Sequence, residues 1–182
     1  MPNSAVYTII PERSRVWIDA RSSLHPIHST TDGLEGFVDL DADGDAVVGP
    51  HPTAQLSFPV NRLSSGNRLE DRELQKRIDA QRYPTIRGVL TGVVPGADDG
   101  RFLVRGELTF RAVTRSVEDY VTLTVVDNHT VRLEGESTFD IRDFGMEPPR
   151  ILILRVKPDV KVRVEILAER GVSRSPIGGR HQ

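Results

Sequence analysis

The chain has 182 residues, and its 24 Lys and Arg nearly balance its 26 Asp and Glu, for a net charge of −2. That balance argues against a basic nucleic-acid footprint and against a strongly acidic tail. The chain has no cysteine, which excludes disulfide frameworks, thiolate zinc sites, iron–sulfur clusters and cysteine nucleophiles.

Hydrophobic residues make up 37% of the chain, and 15 Gly and 12 Pro suit many turns better than long helices. The opening residues show no basic stretch followed by an apolar one, and no run has the length of a membrane span. A cytoplasmic protein is the expectation. Residues 1–4 read as a short tail, residues 5–169 as one domain, and residues 170–182, rich in Gly, Ser, Arg and Pro, as a flexible tail.

In chain order, Val16, Ile18 and Ala20 alternate with Trp17, Asp19 and Arg21, the pattern of a strand with one buried face. Asp41-Ala-Asp-Gly-Asp45 then reads as a hairpin turn. Leu69, Leu74 and Ile78 recur at roughly helical spacing. Asn67 is placed as an N-cap, with Glu70 three residues on, so a short amphipathic helix is predicted over residues 69–80. Alternation returns in Phe102, Val104, Gly106, Leu108 and Phe110, and again in Val121, Leu123 and Val125. It continues through Val131, Leu133, Gly135, Ser137, Phe139 and Ile141, and through Val160, Val162, Val164 and Ile166. Turn residues at 95–100 and 127–129 separate these runs. Such a meander must deal with its edges, and closure into a barrel does so.

Three motifs carry candidate chemistry. Residues 39–44 match the opening of a calcium loop, but the twelfth position is Pro50 where a bidentate Glu is needed, so an acidic turn is the better reading. His25 and His28 can act as acid and base, or as metal ligands. Positions three apart on a strand face opposite ways, and no third ligand is close in sequence, so no metal is expected. Arg62, Arg68, Arg72, Lys76, Arg77, Arg82 and Arg87 form a basic region diluted by Glu70, Asp71, Glu73 and Asp79. It reads as a solvated helix or as a rim for an anionic head group. No nucleophile elbow, Walker loop or dinucleotide fingerprint is present.

Four blocks carry a family resemblance. Ser64-Ser-Gly-Asn67 with Glu70-Asp-Arg-Glu-Leu74 is similar to S-x-x-T-G-N…R-D-x-H-L, and Arg82-Tyr-Pro-Thr-Ile86 to a Y-P-x-I strand start. Gly106-Glu-Leu-Thr-Phe-Arg-Ala-Val-Thr is similar to G-x-L-T-I-x-G-V-T, with Ala112 in place of the Gly. Phe139-Asp-Ile-Arg-Asp-Phe-Gly145 is similar to I-x-R-x-D-F-G. In this order, over residues 7–169, they resemble the YceI-like family of lipocalin-like, polyisoprenoid-binding proteins.

The resemblance implies an all-β fold: an antiparallel lipocalin-like barrel of about eight strands, with one helix and an apolar cavity. By alternation, Ile18, Phe37, Phe58, Phe102, Phe110, Leu133 and Phe139 are expected to line it. His25, His28, Arg72, Arg82 and Arg142 are the candidates for orienting a head group at its mouth. The expected activity is binding or carriage of an apolar or amphiphilic small molecule of isoprenoid, quinone or acyl type, without a cofactor. The alternatives are a barrel enzyme for cyclisation or isomerisation, with His25 or His28 as acid–base group, and a filled barrel acting as an interaction module. A homodimer is the expected assembly.

Overall fold

The computed structural model describes residues 4–43, 46–47, 52–148, 150–151 and 153–171. Its strands are β1 (Ser4–Ile9), β2 (Arg15–Ser22), β3 (Pro26–Thr31), β4 (Glu35–Asp43), β5 (Ala46–Val47) and β6 (Thr53–Pro59). After helix α1 (Arg68–Ile78) come β7 (Thr85–Pro95), β8 (Arg101–Phe110), β9 (Val113–Val125), β10 (Thr130–Asp140), β11 (Arg150–Ile151) and β12 (Leu154–Arg170).

Eight of these strands close a ring in the order β1, β4, β6, β7, β8, β9, β10 and β12, with β12 returning to β1. All the pairings are antiparallel. The length of β12 makes closure possible. Its 17 residues pair β10 along one edge, and β2 and then β1 along the other. β2 and β3 form a hairpin on that second edge, and among the described residues the free side of β3 makes a single bridge, Thr30 to Ser64.

The two-residue period decides what lies inside. On β12, Val160, Val162, Val164 and Ile166 face the interior, and Lys161, Arg163 and Glu165 face out. Outside, the Arg163 guanidinium lies 4.2 Å from the Trp17 ring. One end of the barrel is packed solid by Ala5, Tyr7, Ile9, Val38, Leu40, Leu123, Val131 and Ala168. Burying a side chain of Leu or Phe size contributes about 1.5–3 kcal/mol, so this end anchors the fold.

α1 covers the opposite end. Its Ile78 packs there with Val60, Phe110, Ile141, Phe144 and Met146 in a second cluster, with the Phe110 and Phe144 rings 5.9 Å apart. The helix begins where its N-cap requires: the Asn67 side chain accepts from the N–H groups of Leu69 and Glu70. It ends at Ile78, two residues before the sequence-based expectation, because Asp79 takes a left-handed conformation with φ 58°. Leu69, expected on the apolar stripe, is 58% exposed.

Phe37 is a second correction. It is 38% exposed, while Val38 and Leu40 are buried. β4 reads Glu35, Phe37, Asp39 on one face and Gly36, Val38, Leu40 on the other, and the uncharged face turns inward. The turn of residues 41–45 lies partly outside the described residues, but β4 and β5 pair across it, with Ala42 opposite Val47.

Candidate functional site: the barrel cavity

Inside the ring lies a cavity of about 430 Å³, in the range of small-molecule pockets. Small inward positions leave that room. Gly88, Gly106, Gly135 and Ser137 stand on β7, β8 and β10 where larger side chains would fill the middle of the barrel. At Gly135 a Cβ would already come within 3.3 Å of Val121 Cγ2.

Ile18, Phe58, Phe102, Phe110, Leu133 and Phe139 all line the cavity. They share it with Val38, Leu40, Leu56, Leu74, Ile78, Ile86 and the inward face of β12. Phe37 does not, for the register reason given above.

None of the five polar candidates lines the cavity. His28 is exposed on the outer face of β3, with Nδ1 2.5 Å from Asp19 Oδ1. His25 sits at the turn before β3, and its Nε2 reaches to 4.0 Å from Glu70 Oε1. Arg72 is exposed on α1, and Arg82 is exposed with its guanidinium 5.3 Å from the Tyr83 ring. The Arg142 guanidinium is held by Asp140, Nη2 to Oδ2 at 2.6 Å. That contact pulls the Asp140 carboxyl below its ordinary range and raises Arg142. Asp140 also accepts from the Arg142 N–H and so caps the 3-10 turn Ile141–Phe144 that carries two cavity residues. The pair is tied to the cavity wall through this backbone. An acid–base residue must reach the reacting atoms, and neither imidazole faces the interior.

The charged side chains turned toward the cavity are carboxylates. Asp119 is in phase with Val117, Val121 and Leu123 on the inner face of β9. Its Oδ1 accepts from the Tyr120 N–H at 2.8 Å. Glu70 lines the cavity from α1 with its side chain only 13% exposed. It does not close the capping box expected from the sequence: the Asn67 N–H goes to Ser65 Oγ instead. Asp71, beside it, accepts from Ser64 Oγ and from the N–H and Oγ of Ser65, at 2.7–2.9 Å. Arg105 borders the cavity from β8, but its guanidinium turns outward to Glu118, 2.5 Å away. Asp119 was legible in the sequence as a charge on the apolar phase of β9. Nothing there indicated that Glu70 would turn inward.

The wall parts between β9 and β10. β9 pairs with β10 only from Val125–Val131 to Val121–Gly135. Beyond that point β9 stays paired with β8, and β10 with β12, but not with each other. Asp119, Tyr120, Glu136 and Ser137 line the cavity where the two strands part.

Among the described residues, no group of three or more His, Asp or Glu is placed to hold a metal ion, and no helix is long and apolar enough to cross a membrane.

A closed antiparallel barrel around an apolar cavity defines a lipocalin-like class. Within it, the YceI-like domain model matches residues 7–168, and the chain belongs to that family. Solved structures agree on the fold. Burkholderia cenocepacia BcnA superposes with a TM-score of 0.75 at 17% identity, covering 88% of this chain and 99% of that one. A polyisoprenoid binding domain from Saccharophagus degradans, implicated in plant cell wall breakdown, gives 0.75 at 14% identity, covering 92% and 99%. The Campylobacter jejuni YceI protein gives 0.66 at 14% identity, covering 80% and 86%. No curated protein matches the sequence.

Proposed function

We propose that the protein binds and carries an apolar or amphiphilic small molecule, of isoprenoid, quinone or acyl-chain type, within the barrel. The observation that carries this reading is the cavity of about 430 Å³ walled by aliphatic and aromatic side chains. Each buried CH₂ of a ligand contributes about 0.8 kcal/mol, so a ten-carbon tail gains roughly 8 kcal/mol before the costs of association. Ile18, Phe58, Phe102, Phe110, Leu133 and Phe139 contact the tail in this reading. The similarity to a polyisoprenoid binding domain from Saccharophagus degradans supports it.

The polar part of the ligand is a hydrogen-bond donor, which for the quinone type means the reduced, quinol form. The inward-facing charged groups are carboxylates, Asp119 and Glu70, with Asp71 already engaged by Ser64 and Ser65, and an anionic head beside them would meet like charge in an apolar site. Hydroxyl and ammonium heads fit; carboxylate and phosphate heads do not. The arginines expected to form an anion rim lie outside the cavity.

Organic extraction of protein purified from its native host, followed by mass identification, tests the reading. A bound apolar molecule at near-stoichiometric yield is the expected result. Protein free of ligand that also fails to bind added prenols, quinones and fatty alcohols overturns it. A cytoplasmic location belongs to the same proposal and is read by cell fractionation. So does a homodimer, for which the open edge of β3 offers a pairing surface; sedimentation checks it.

A further inference from the structure

Three large apolar side chains stand in water at the α1 end of the barrel: Leu24 at 65% exposure, Leu69 at 58% and Ile153 at 81%. They come from three separate segments that contacts bring together. The N–H of Ser23, next to Leu24, donates to the Arg155 carbonyl at 2.9 Å, and the Arg155 N–H returns to Ser23 Oγ at 3.1 Å. This ties the β2–β3 turn to the β11–β12 hairpin that carries Ile153. His25, on the other side of Leu24, approaches Glu70, the neighbour of Leu69.

Unmatched positive charge surrounds these side chains. Arg150 and Arg155 are direct cross-strand partners on β11 and β12, and both are exposed. Like charges in that position repel unless an anion lies between or above them. Among the described residues, neither has an ion-pair partner, and the same holds for exposed Arg68 and Arg72 on α1. The nearby acids do not neutralise them. Glu70 faces the cavity and Asp71 is engaged by Ser64 and Ser65, which leaves Glu147 as the exposed carboxylate leading into β11.

We propose that this end of the barrel docks on an anionic lipid surface. Leu24, Leu69 and Ile153 enter the boundary between head groups and acyl chains, and Arg68, Arg72, Arg150 and Arg155 meet lipid phosphates. Separated apolar tips ringed by arginine suit a membrane interface, where stems are buried and guanidinium groups stay with the head groups. An obligate protein partner would be expected to bury a more continuous apolar core. The docked end is the one where Glu70 lines the cavity, so docking sets the cavity against the bilayer.

Co-sedimentation of the full chain with phosphatidylcholine vesicles, with and without phosphatidylglycerol, tests this. Binding is expected only with phosphatidylglycerol, and it weakens as salt rises. R150Q with R155Q weakens it roughly tenfold or more, at about 1 kcal/mol per arginine near the surface. I153S weakens it also, while R13Q, at the opposite end of the barrel, leaves it unchanged. Circular dichroism establishes that each variant is folded. Absent binding, binding indifferent to phosphatidylglycerol, or binding unmoved by the Arg150, Arg155 and Ile153 changes overturns the proposal. So does a dimer that I153S dissociates, which assigns the patch to a second copy. The cavity reading stands or falls separately, because ligand extraction does not depend on vesicles.

Discussion

The carbonyl oxygen of Gln55 stands 2.0 Å from the position a Cβ on Gly36 would occupy. The two strands meet there without a side chain between them, Gly36 being opposite Leu56 in the β4–β6 register. Gly36 also has φ 142°, a conformation that side chains disfavour. Gly36→Ala is therefore expected to destabilise the barrel by about 2–4 kcal/mol, from strain and forced separation together. Urea denaturation followed by tryptophan fluorescence measures it, and a change under about 0.5 kcal/mol, the range of ordinary surface substitutions, contradicts the account.

Ser14 closes the junction between β1 and β2. Its Oγ donates to the Leu167 carbonyl at 3.2 Å and accepts from the Leu167 N–H at 3.0 Å, in a site where Ser14 is 2% exposed. Ser14→Ala removes the side-chain partner of both groups. The expected loss is about 1–3 kcal/mol, again read by denaturation, with cavity binding unchanged.

Filling the cavity should separate binding from folding. Ser137 faces inward beside Gly135, where the wall is thinnest in side chains. Ser137→Phe is expected to weaken binding of an apolar fluorescent probe by about tenfold or more, a difference of about 1.4 kcal/mol or more. The folded spectrum is expected to persist. Unchanged probe affinity would place the bound chain elsewhere.

Head-group chemistry gives an independent readout. Amphiphiles of one chain length ending in ammonium, hydroxyl, carboxylate or phosphate should fall in two groups, with the first pair binding more tightly. Asp119→Asn is expected to lower the preference for ammonium over hydroxyl, because the change removes the charge but keeps a polar side chain. Isothermal titration of the four compounds checks this; tighter binding of the carboxylate or phosphate compound contradicts the donor-head reading.

The Asp140–Arg142 pair sets a pH dependence at the acid end. Asp140 is held below its ordinary value of 3.8, first by the side-chain hydrogen bond from Arg142 and then by that residue's backbone N–H. A carboxyl depressed in the folded state adds stability above its unfolded pKa, and this is lost as pH falls through the folded value. Carboxyl NMR titration should therefore find Asp140 below 3.8 in the folded protein and moved upward in Arg142→Gln. The pair is exposed, so its share of total stability is small.

Much of the barrel was legible because a two-residue period is hard to misread over ten residues. Ile18, Phe102, Phe110, Leu133 and Phe139 followed from it directly. Phe37 did not, because Phe37 and Val38 are adjacent apolar residues and size favoured the wrong one. The charge on Asp39 and the absence of a side chain at Gly36 were the better guides. The mouth was less legible because its polar groups come from segments far apart in sequence. Arg72, Arg82 and Arg142 were grouped by residue type, whereas the fold turns Glu70 and Asp119 inward. The β9–β10 seam was hard to read in the sequence: its marks are polar residues on the apolar phase, Arg115 and Asp119 on β9 and Ser137 on β10, and these do not say which neighbouring strand lets go.

That seam gives the barrel unequal stiffness around its circumference. Across the neighbouring β8–β9 and β10–β12 pairs, widening the ring means stretching a long, uninterrupted ladder of hydrogen bonds. Between Val113–Tyr120 and the last residues of β10 there is no ladder to stretch. The girth of the barrel can therefore change locally at little cost in backbone hydrogen bonds. On the proposed carrier reading, ligands of different thickness share one container, with the packed far end serving as a fixed hoop.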